Sequence, residues 1–241
     1  MRARRPSTPV LAGMSHVEAV ARAASESDDE LKVVNLNQRP DIYKPPRADL
    51  SFRSPLDVDP RHLFLSIGGN YHNILGLIEN PVPFSVGDGR AGATSHDEKR
   101  HFVPEALMRA HFERHQAHRA DVIASFARRF KGVPTHHLAP PPPVADLDGV
   151  RERPGAFRPH IHRGFAPPEL RLKLYEIELW NLSRICDQHG IEVVPSPAEA
   201  FDKDGFLRAD LCNQDPSHGN ITYGQLVLQQ VRELTRERSV A

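Results

Sequence analysis

Short apolar segments that alternate with helical ones are the feature that most limits how this chain can fold. The apolar runs lie at residues 10–14, 31–36, 62–67, 133–138 and 191–194. The helical segments between and after them lie at residues 17–24, 104–130, 167–189 and 223–234. Paired valines in the second and fifth apolar runs are typical of strands buried on both faces. Strands that alternate with helices pair in parallel, so the pattern predicts a three-layer α/β/α sandwich around a parallel sheet of about five strands.

Two segments interrupt this alternation and are predicted to be loops. Residues 81–101 are rich in glycine and polar side chains, and residues 139–166 include four consecutive prolines at 140–143. A proline run is often a stiff linker between domains. Here it follows a predicted strand, and too few residues come after it for a second core. We therefore expect a rigid loop at the carboxyl end of the sheet, where ligands bind in open α/β folds.

Length and composition favour one globular domain. The 241 residues, of which 39% are hydrophobic, suffice for one sizeable α/β core. We expect residues 1–8 to form a disordered tail, residues 9–236 a single domain, and residues 237–241 a second tail. No apolar run approaches the length of a membrane span. Two cysteines provide neither a disulfide framework nor metal-ligand spacing, which indicates a reduced, cytoplasmic protein.

The charge balance and the histidines favour neither a nucleic-acid or anionic-membrane partner nor a metal. The 31 basic residues equal the 31 acidic ones, so the net charge gives no indication of nucleic-acid binding or of anionic membranes. His111, His115 and His118 have the spacing of a metal-binding helix face, but flanking arginines favour a solvated surface. His136 and His137 are adjacent on a predicted strand and point to opposite faces. The sequence therefore predicts no metal and no cofactor.

Ser15 is a candidate nucleophile because it follows the first predicted strand and precedes a helix. A hydroxyl in this position lies at the carboxyl edge of the sheet, where helix N–H groups can stabilise an oxyanion. The alternative is that Ser15 only caps the helix, since serine is a favoured N-cap residue.

Gly68, Gly69 and Asn70 follow the third predicted strand. Two glycines allow the backbone to approach a ligand closely, and an asparagine side chain can donate to a developing negative charge. His72 and Asn73 continue the segment. With Gly69 and Asn70 they are the candidate oxyanion and substrate-binding residues. A simple turn is the alternative, because glycine and asparagine both favour turns.

Asp215 and His218 lie three residues apart just before the last predicted helix. At this separation in a turn, the carboxylate can reach the ring nitrogen of His218 that does not serve as base, fix its tautomer and stabilise the imidazolium. An Asx-turn beside a surface histidine is the alternative. With Ser15 and Asn70, these residues complete the groups of an acyl-transfer site: nucleophile, base, orienting carboxylate and oxyanion donor.

Three of these segments together resemble the motif blocks of the SGNH hydrolases, also called GDSL-type esterases. They are Gly13-x-Ser15, Gly68-x-Asn70 and Asp215-x-x-His218, in the family's order and over nearly the whole domain. The resemblance implies a flavodoxin-like α/β/α fold with Ser15 as nucleophile and His218 as general base. It also implies that Asp215 orients His218 and that Asn70 donates into an oxyanion hole.

The chain departs from the family pattern at three places. Met14 stands where the family usually has aspartate, and Tyr71 stands where aspartate often follows the asparagine. No glycine lies between residues 13 and 68 to provide the second oxyanion donor. Asn37, or a backbone N–H of residues 35–39, is the candidate replacement. Losing one such donor lowers the rate by about 10²–10³, so the departures bear on activity more than on fold.

The leading hypothesis is a serine hydrolase that cleaves an ester, such as an O-acyl group of a sugar or small metabolite. An acyltransferase would use the same site with a different acceptor. A third hypothesis is a non-catalytic protein of this fold that binds a ligand or partner at the same cleft, which Met14 and the missing glycine favour. The two predicted loops set specificity in such folds, so the sequence does not identify the substrate.

Overall fold

The computed structural model of the protein describes residues 8–43, 60–88 and 99–237. Its strands are β1 Thr8–Gly13, β2 Lys32–Asn35, β3 Pro60–Ser66, β4 Phe84–Gly87, β5 His101–Pro104, β6 Thr135–Leu138 and β7 Glu192–Val194. Its helices are α1 Val17–Glu26, α2 Tyr71–Gly76, α3 Glu105–Arg129, α4 Leu147–Glu152, α5 Pro168–Asp187 and α6 Ile221–Glu237. No helix within these ranges combines the length and the hydropathy that crossing a bilayer requires.

Five strands form a parallel sheet in the order β2-β1-β3-β6-β7. Numbered among themselves, these strands have the order 2-1-3-4-5, which is the flavodoxin-like order. Helices α1 and α6 pack on one face against residues such as Leu11 and Phe64. Helices α3 and α5 pack on the other face against residues of β1 and β3 such as Val10 and Leu63. The predicted three-layer, flavodoxin-like α/β/α sandwich is confirmed.

The strand register aligns the ends of β1, β2 and β3 at the carboxyl edge of the sheet. Gly13, the last residue of β1, is paired with Ser66, the last residue of β3. It is also paired with Asn35 at the end of β2. Since all strands run in parallel, the residues that follow β1, β2 and β3 leave the sheet at the same edge.

A close contact between α1 and α6 brings the end of the chain to the same edge. Gly224 in the first turn of α6 lies against the backbone carbonyl of Ala19 in α1, where a Cβ atom has no room. The loop that carries residues 213–218 directly precedes α6. The approach of the two helices therefore places this loop beside the turn between β1 and α1.

The segments predicted to be loops contain structure of their own. The prediction for residues 81–101 is wrong in part, because β4 and β5 pair as a separate two-stranded parallel sheet. The prediction for residues 139–166 is also wrong in part, because they include α4 and a 3₁₀ helix at Gly155–Arg163. Strands of four residues and helices of six are too short to give a clear period in sequence. Of the predicted tails, residues 1–7 and 238–241 lie outside the described residues, while Thr8 begins β1 and Glu237 ends α6.

The four prolines that follow β6 are buried and held in place. Tyr175 Oη and Ser196 Oγ both donate to the carbonyl oxygen of Pro140, at 2.9 and 2.8 Å. Leu207 N–H donates to the carbonyl of Pro143 at 2.9 Å. Residues 140–143, here called the proline wall, are therefore held rigidly at the carboxyl edge of the sheet.

Candidate active site

Ser15 lies in the tight turn between β1 and α1. Met14 N–H donates to the carbonyl oxygen of Ser66 at 3.0 Å, which ties the turn to the end of β3. A Cβ atom on Gly13 would lie 2.5 Å from that same oxygen, so the close approach of the turn to β3 requires glycine at this position. Glu18 N–H donates to the carbonyl of Ser15 at 3.2 Å as α1 begins. The N–H of Ser15 itself donates to no backbone carbonyl among the described residues.

Ser15, His218 and Asp215 are joined by a continuous chain of hydrogen bonds. Ser15 Oγ lies 2.8 Å from His218 Nε2. On the other side of the ring, His218 Nδ1 lies 2.7 Å from Asp215 Oδ1. A proton on Nδ1 is shared with the carboxylate, so Nε2 is left with its lone pair facing the hydroxyl. The structure thus brings together the three residues that the sequence singled out.

The loop of residues 213–218, here called the histidine loop, is held mainly by its own residues. Ser217 donates twice to Asp215 Oδ1, from its backbone N–H at 2.9 Å and from its Oγ at 2.8 Å. Asn213 Nδ2 donates to the other carboxylate oxygen at 3.3 Å. Burial raises the pKa of Asp215, but the hydrogen bonds from His218 and Ser217 outweigh it and lower that pKa to about 2. Asp215 is therefore ionised wherever His218 can act as a base.

His16 is a neighbour of the site that the sequence did not single out. Its ring lies against the ring of His218, with 4.8 Å between their centroids. Both of its ring nitrogens are buried and have no hydrogen-bond partner among the described residues. Burial, together with the nearby His218, lowers the pKa of His16 to about 3. His16 is therefore a neutral packing surface for His218, and only its place directly after Ser15 could have indicated this.

Residues 67–73, here called the glycine segment, leave the end of β3 through two left-handed glycines. Gly68 has φ +83° and Gly69 has φ +96°, which other residues rarely adopt. A Cβ atom on Gly69 would lie 2.5 Å from Pro140 Cβ, and one on Gly68 would meet the side chain of Arg119. The segment is thus confined between the proline wall and α3.

Asn70 stands at the N-cap position of α2, but its side chain does not cap the helix. Instead, Asn73 Nδ2 donates to Asn70 Oδ1 at 3.2 Å. This bond identifies the oxygen side of the Asn70 amide. The Nδ2 group of Asn70 is left without a hydrogen-bond partner among the described residues, as a donor to a ligand would be. Asn73 itself is buried.

His72 is also buried, and a carboxylate from α5 lies against it. Glu178 Oε2 accepts a hydrogen bond from the backbone N–H of His72 at 2.9 Å and from its Nδ1 at 2.5 Å. The other oxygen, Oε1, accepts from Tyr71 N–H at 3.3 Å and from Gln116 Nε2 at 2.9 Å. Arg119 Nη1 lies 3.3 Å from the same oxygen. Burial raises the pKa of Glu178, but His72 and Arg119 outweigh it and lower the pKa to about 2.

The sequence analysis did not identify Glu178, although one signal was present. Leu174, Glu178 and Leu182 follow one another at four-residue spacing along α5. A glutamate within the apolar stripe of a helix is buried with it and needs partners. The spacing indicates burial, but it does not reveal which distant residues supply the hydrogen bonds.

His137 supports the start of the glycine segment from β6. Ile67 N–H donates to His137 Nε2 at 3.0 Å, and His137 Nδ1 donates to the carbonyl of Leu138 at 2.9 Å. These bonds fix the neutral tautomer. Burial lowers the pKa of His137 to about 4.

Asn37 belongs to the 3₁₀ turn that follows β2. Its side chain is exposed, and its backbone N–H already donates to Asn35 Oδ1 at 3.0 Å within the 3₁₀ turn Leu36–Gln38. The backbone N–H of Asn37 is thus already used, whereas that of Ser15 donates to no backbone carbonyl among the described residues.

The other histidines make contacts with protein side chains. Tyr71 Oη lies 2.7 Å from His111 Nε2, and Tyr43 Oη lies 2.8 Å from His118 Nε2. His136 Nδ1 lies 2.8 Å from a ring nitrogen of His62. His115 is exposed, and His111 and His118 are half-buried and each contacts a tyrosine. In the part of the chain that the structure describes, no group of three or more histidine, cysteine, aspartate or glutamate side chains is arranged to hold a metal ion.

A small polar cleft of about 100 Å³ opens beside Ser15 and His218. Its walls come from the first two turns of α1 and from the residues around the histidine loop. They include the polar side chains of Glu18, Arg22, Asn213 and Asn220. Such a cleft suits a small ligand with several hydrogen-bonding groups.

Comparison with known proteins gives a likeness of fold. No family model matches the chain, and no curated protein matches it. A structure named for a platelet activating factor from Streptococcus pneumonia aligns over 97% of this chain and 86% of its own, with a TM-score of 0.50 at 14% identity. A lipolytic protein of the G-D-S-L family from Desulfitobacterium hafniense aligns over 94% and 99%, with a TM-score of 0.47 at 13% identity. A GDSL-like lipase from Bacteroides thetaiotaomicron aligns over 95% and 87%, with a TM-score of 0.44 at 13% identity.

The likeness to the first of these structures shows a shared fold, and the low identity leaves activity open. Sheet order, layering and this likeness agree with the fold that the resemblance to the SGNH hydrolases implies. The fold is therefore the flavodoxin-like α/β/α fold that this resemblance implies.

Proposed function

We propose that the protein is a divergent SGNH hydrolase that cleaves a carboxylic ester through an acyl-enzyme on Ser15. One observation carries the proposal: Ser15 Oγ, the His218 ring and the Asp215 carboxylate form one chain of short hydrogen bonds, although Ser15 and His218 are 203 residues apart in sequence. A helix cap alone gives no reason for an imidazole with an oriented carboxylate to meet this hydroxyl.

In the first half of the reaction, the proton of Ser15 Oγ moves to His218 Nε2 as the oxygen attacks the ester carbonyl. Asp215 stabilises the imidazolium that forms, and its low pKa keeps it ionised throughout. The tetrahedral intermediate then loses the alcohol, whose oxygen takes the proton from His218 Nε2. The acyl group remains on Ser15 Oγ.

In the second half, water replaces the alcohol. His218 accepts a proton from water as it attacks the acyl carbonyl, and it returns that proton to Ser15 Oγ as the carboxylic acid leaves. We propose that Asn70 Nδ2 and the N–H of Ser15 hold the oxyanion in both halves. Each donor contributes about 10²–10³ to the rate where it is correctly placed.

The polar walls of the cleft support a small, hydroxylated substrate, such as an O-acyl sugar or a related metabolite. Arg22 offers a hydrogen-bond donor in the cleft that Ser15 lines, whereas a long apolar chain finds little matching surface there. Both cysteines are free thiols, and the cytoplasmic location stays a prediction from them.

Labelling with a fluorophosphonate probe tests the proposal directly. We expect the wild type and Ser217→Ala to be labelled and Ser15→Ala to remain unlabelled, with the adduct on the peptide that contains Ser15. Ser217 is the matched control, because it is a second hydroxyl beside His218. Absence of labelling in the wild type would contradict the proposal and favour a binding protein.

Hydrolysis of p-nitrophenyl acetate separates the enzymatic alternatives. A burst of p-nitrophenol followed by steady turnover in water supports a hydrolase. Turnover that depends on an added alcohol would instead identify an acyltransferase.

A further inference from the structure

At the N-terminus of α2, one side chain occupies the N-cap position and a different side chain accepts the hydrogen bonds of the first backbone N–H groups. Asparagine at an N-cap position ordinarily accepts hydrogen bonds from the first backbone N–H groups of its own helix. Asn70 occupies this position and makes no such bond. The N–H groups of Tyr71 and His72 donate instead to Glu178, a residue of α5 that lies more than a hundred positions away.

We propose that Glu178 is a positioning residue that caps α2 in place of Asn70 and thereby frees the Asn70 amide to face the oxyanion. This inference deepens the proposed function and rests on it. None of the three motif blocks contains Glu178. Its effect on the reaction acts entirely through the glycine segment.

The carboxylate is built into the protein as a fixed acceptor. Glu178 is 1% exposed, and burying a carboxylate is strongly unfavourable unless several donors surround it. Five donor groups converge on its two oxygens: two backbone N–H groups of α2, the ring of His72, and the side chains of Gln116 and Arg119. Gln116 is fixed in turn by Asn181 Nδ2, which donates to its Oε1 at 2.6 Å. The position of the acceptor is therefore set by α3 and α5 and does not depend on a ligand.

The remaining contacts of Asn70 agree with this role. Its Oδ1 accepts from Asn73 Nδ2, so the oxygen is turned toward α2 and the Nδ2 group away from that bond. Without Glu178, the N–H groups of Tyr71 and His72 would lack an acceptor, and the nearest side chain of capping type is Asn70. Asn70 Oδ1 would then turn to cap its own helix and take its Nδ2 group away from the oxyanion.

Substitution of Glu178 by glutamine tests this arrangement. Glutamine has nearly the same shape but places an NH₂ group among donors. We expect Glu178→Gln to lower kcat for p-nitrophenyl acetate by about 10- to 100-fold, with KM changed less than twofold, because a misplaced oxyanion donor acts in the transition state. The control is Glu176→Gln, the same change on the exposed side of the same helix, for which we expect wild-type kcat.

A double-mutant cycle with Asn70→Ala separates positioning from a general loss of structure. Because Glu178 acts through Asn70, Glu178→Gln is expected to lower kcat no further once Asn70 is alanine. Additive losses would overturn the inference. Glu178→Asp keeps the charge and shortens the side chain, so it carries the test if the glutamine variant does not fold. We expect it to lose kcat by an intermediate factor, and an unchanged kcat would overturn the inference.

Hydrogen exchange of the backbone amides keeps this inference distinct from the proposed function. In Glu178→Gln we expect faster exchange at Tyr71 and His72, with α6 unchanged from the wild type. If the wild type neither hydrolyses the ester nor reacts with the fluorophosphonate, the proposed function fails and the exchange result still decides whether Glu178 caps α2. Unchanged exchange at both amides would overturn the capping itself, whatever the activity.

Discussion

The histidine loop and the glycine segment meet at the same edge of the sheet, yet they are held in opposite ways. Asp215 and His218 are fixed mainly by hydrogen bonds within residues 213–218, and their side chains are partly exposed. The glycine segment is fixed from outside, by Glu178 on α5 and His137 on β6. The first region carries its geometry in its own sequence, whereas the second takes its geometry from the rest of the fold.

This difference predicts where substitutions act. A change in the histidine loop alters the reaction more than it alters the stability of the fold, because few long-range contacts depend on this loop. A change in the glycine segment alters stability and reaction together, because the same contacts serve both. Four substitutions test this comparison, and those expected to change kcat or stability most are given first.

Asp215→Asn is expected to have the largest effect on the reaction. An amide in place of the carboxylate no longer selects the tautomer of His218 or stabilises the imidazolium, so kcat for p-nitrophenyl acetate should fall by about 10⁴. The free energy of unfolding at neutral pH should fall only modestly: the lowered pKa of Asp215 shows that its ionised form stabilises the fold, but the side chain is partly exposed and solvent screens that contribution. Kinetics and urea unfolding of the same sample measure both.

Asp210→Asn is the control for this prediction. Asp210 lies in the same region and pairs with the exposed side chain of Arg208 at 2.7 Å. We expect wild-type kcat, since exposed ion pairs contribute little. If Asp215→Asn kept more than a tenth of the wild-type kcat, Asp215 would not be the group that orients His218.

Gly69→Ala is expected to affect both stability and reaction. The alanine must adopt φ +96° and also place its Cβ atom 2.5 Å from Pro140 Cβ. Displacement of the segment should lower kcat by about 10², the effect of a misplaced oxyanion donor. The unfolding free energy should fall by more than the roughly 1–2 kcal/mol of backbone strain alone.

Gly132→Ala provides a matched control, because Gly132 has φ +87° but nothing lies within 4 Å of a Cβ atom there. It carries the backbone strain without the clash, so we expect a smaller loss of stability and wild-type kcat. Equal losses in the two variants would mean that the proline wall does not hold the glycine segment in place.

The parts of this picture that the sequence predicted are those fixed by neighbouring residues. The sheet followed from runs of consecutive apolar residues, and the pairing of Asp215 with His218 followed from a spacing of three. Ser15 was recognised from its place between a strand and a helix. In each case the informative residues lie within a few positions of one another.

The supports of the glycine segment escaped prediction for the opposite reason. Glu178 lies 106 positions from His72, and His137 lies 70 positions from Ile67. Periodicity predicts that such residues are buried, but their partners depend on how helices and strands pack. Asn37 follows a strand at the correct edge, but the sequence did not reveal that its backbone N–H is used within its own turn.

His137→Gln is expected to change how stability depends on pH. The pKa of His137 is lowered to about 4 in the folded protein, whereas the unfolded chain takes up this proton near pH 6.5. Between these values the unfolded state binds more protons, so the free energy of unfolding falls as pH falls from 6.5 to 4. One such group contributes at most about 1.4 kcal/mol per pH unit, and this contribution should disappear in the variant.

Urea unfolding at several pH values between 4 and 7 measures the change. His189→Gln is the control, because His189 is exposed and its substitution should leave the pH dependence as in the wild type. If stability depended on pH in the same way in His137→Gln as in the wild type, the buried neutral ring that accepts from Ile67 N–H would not contribute to holding the glycine segment.

Ser217→Ala is expected to have the smallest effect, and it tests the self-contained character of the histidine loop. It removes the hydrogen bond from Ser217 Oγ to Asp215 Oδ1, but the backbone N–H of the same residue still donates to that oxygen at 2.9 Å. Because His218 and Asn213 also remain, Asp215 should keep its place, and kcat should fall by about threefold to tenfold. The measurement is kcat for p-nitrophenyl acetate beside the unfolding free energy. A loss as large as that of Asp215→Asn would show that the loop depends on one hydroxyl, and that it is no more robust than the segment held from outside.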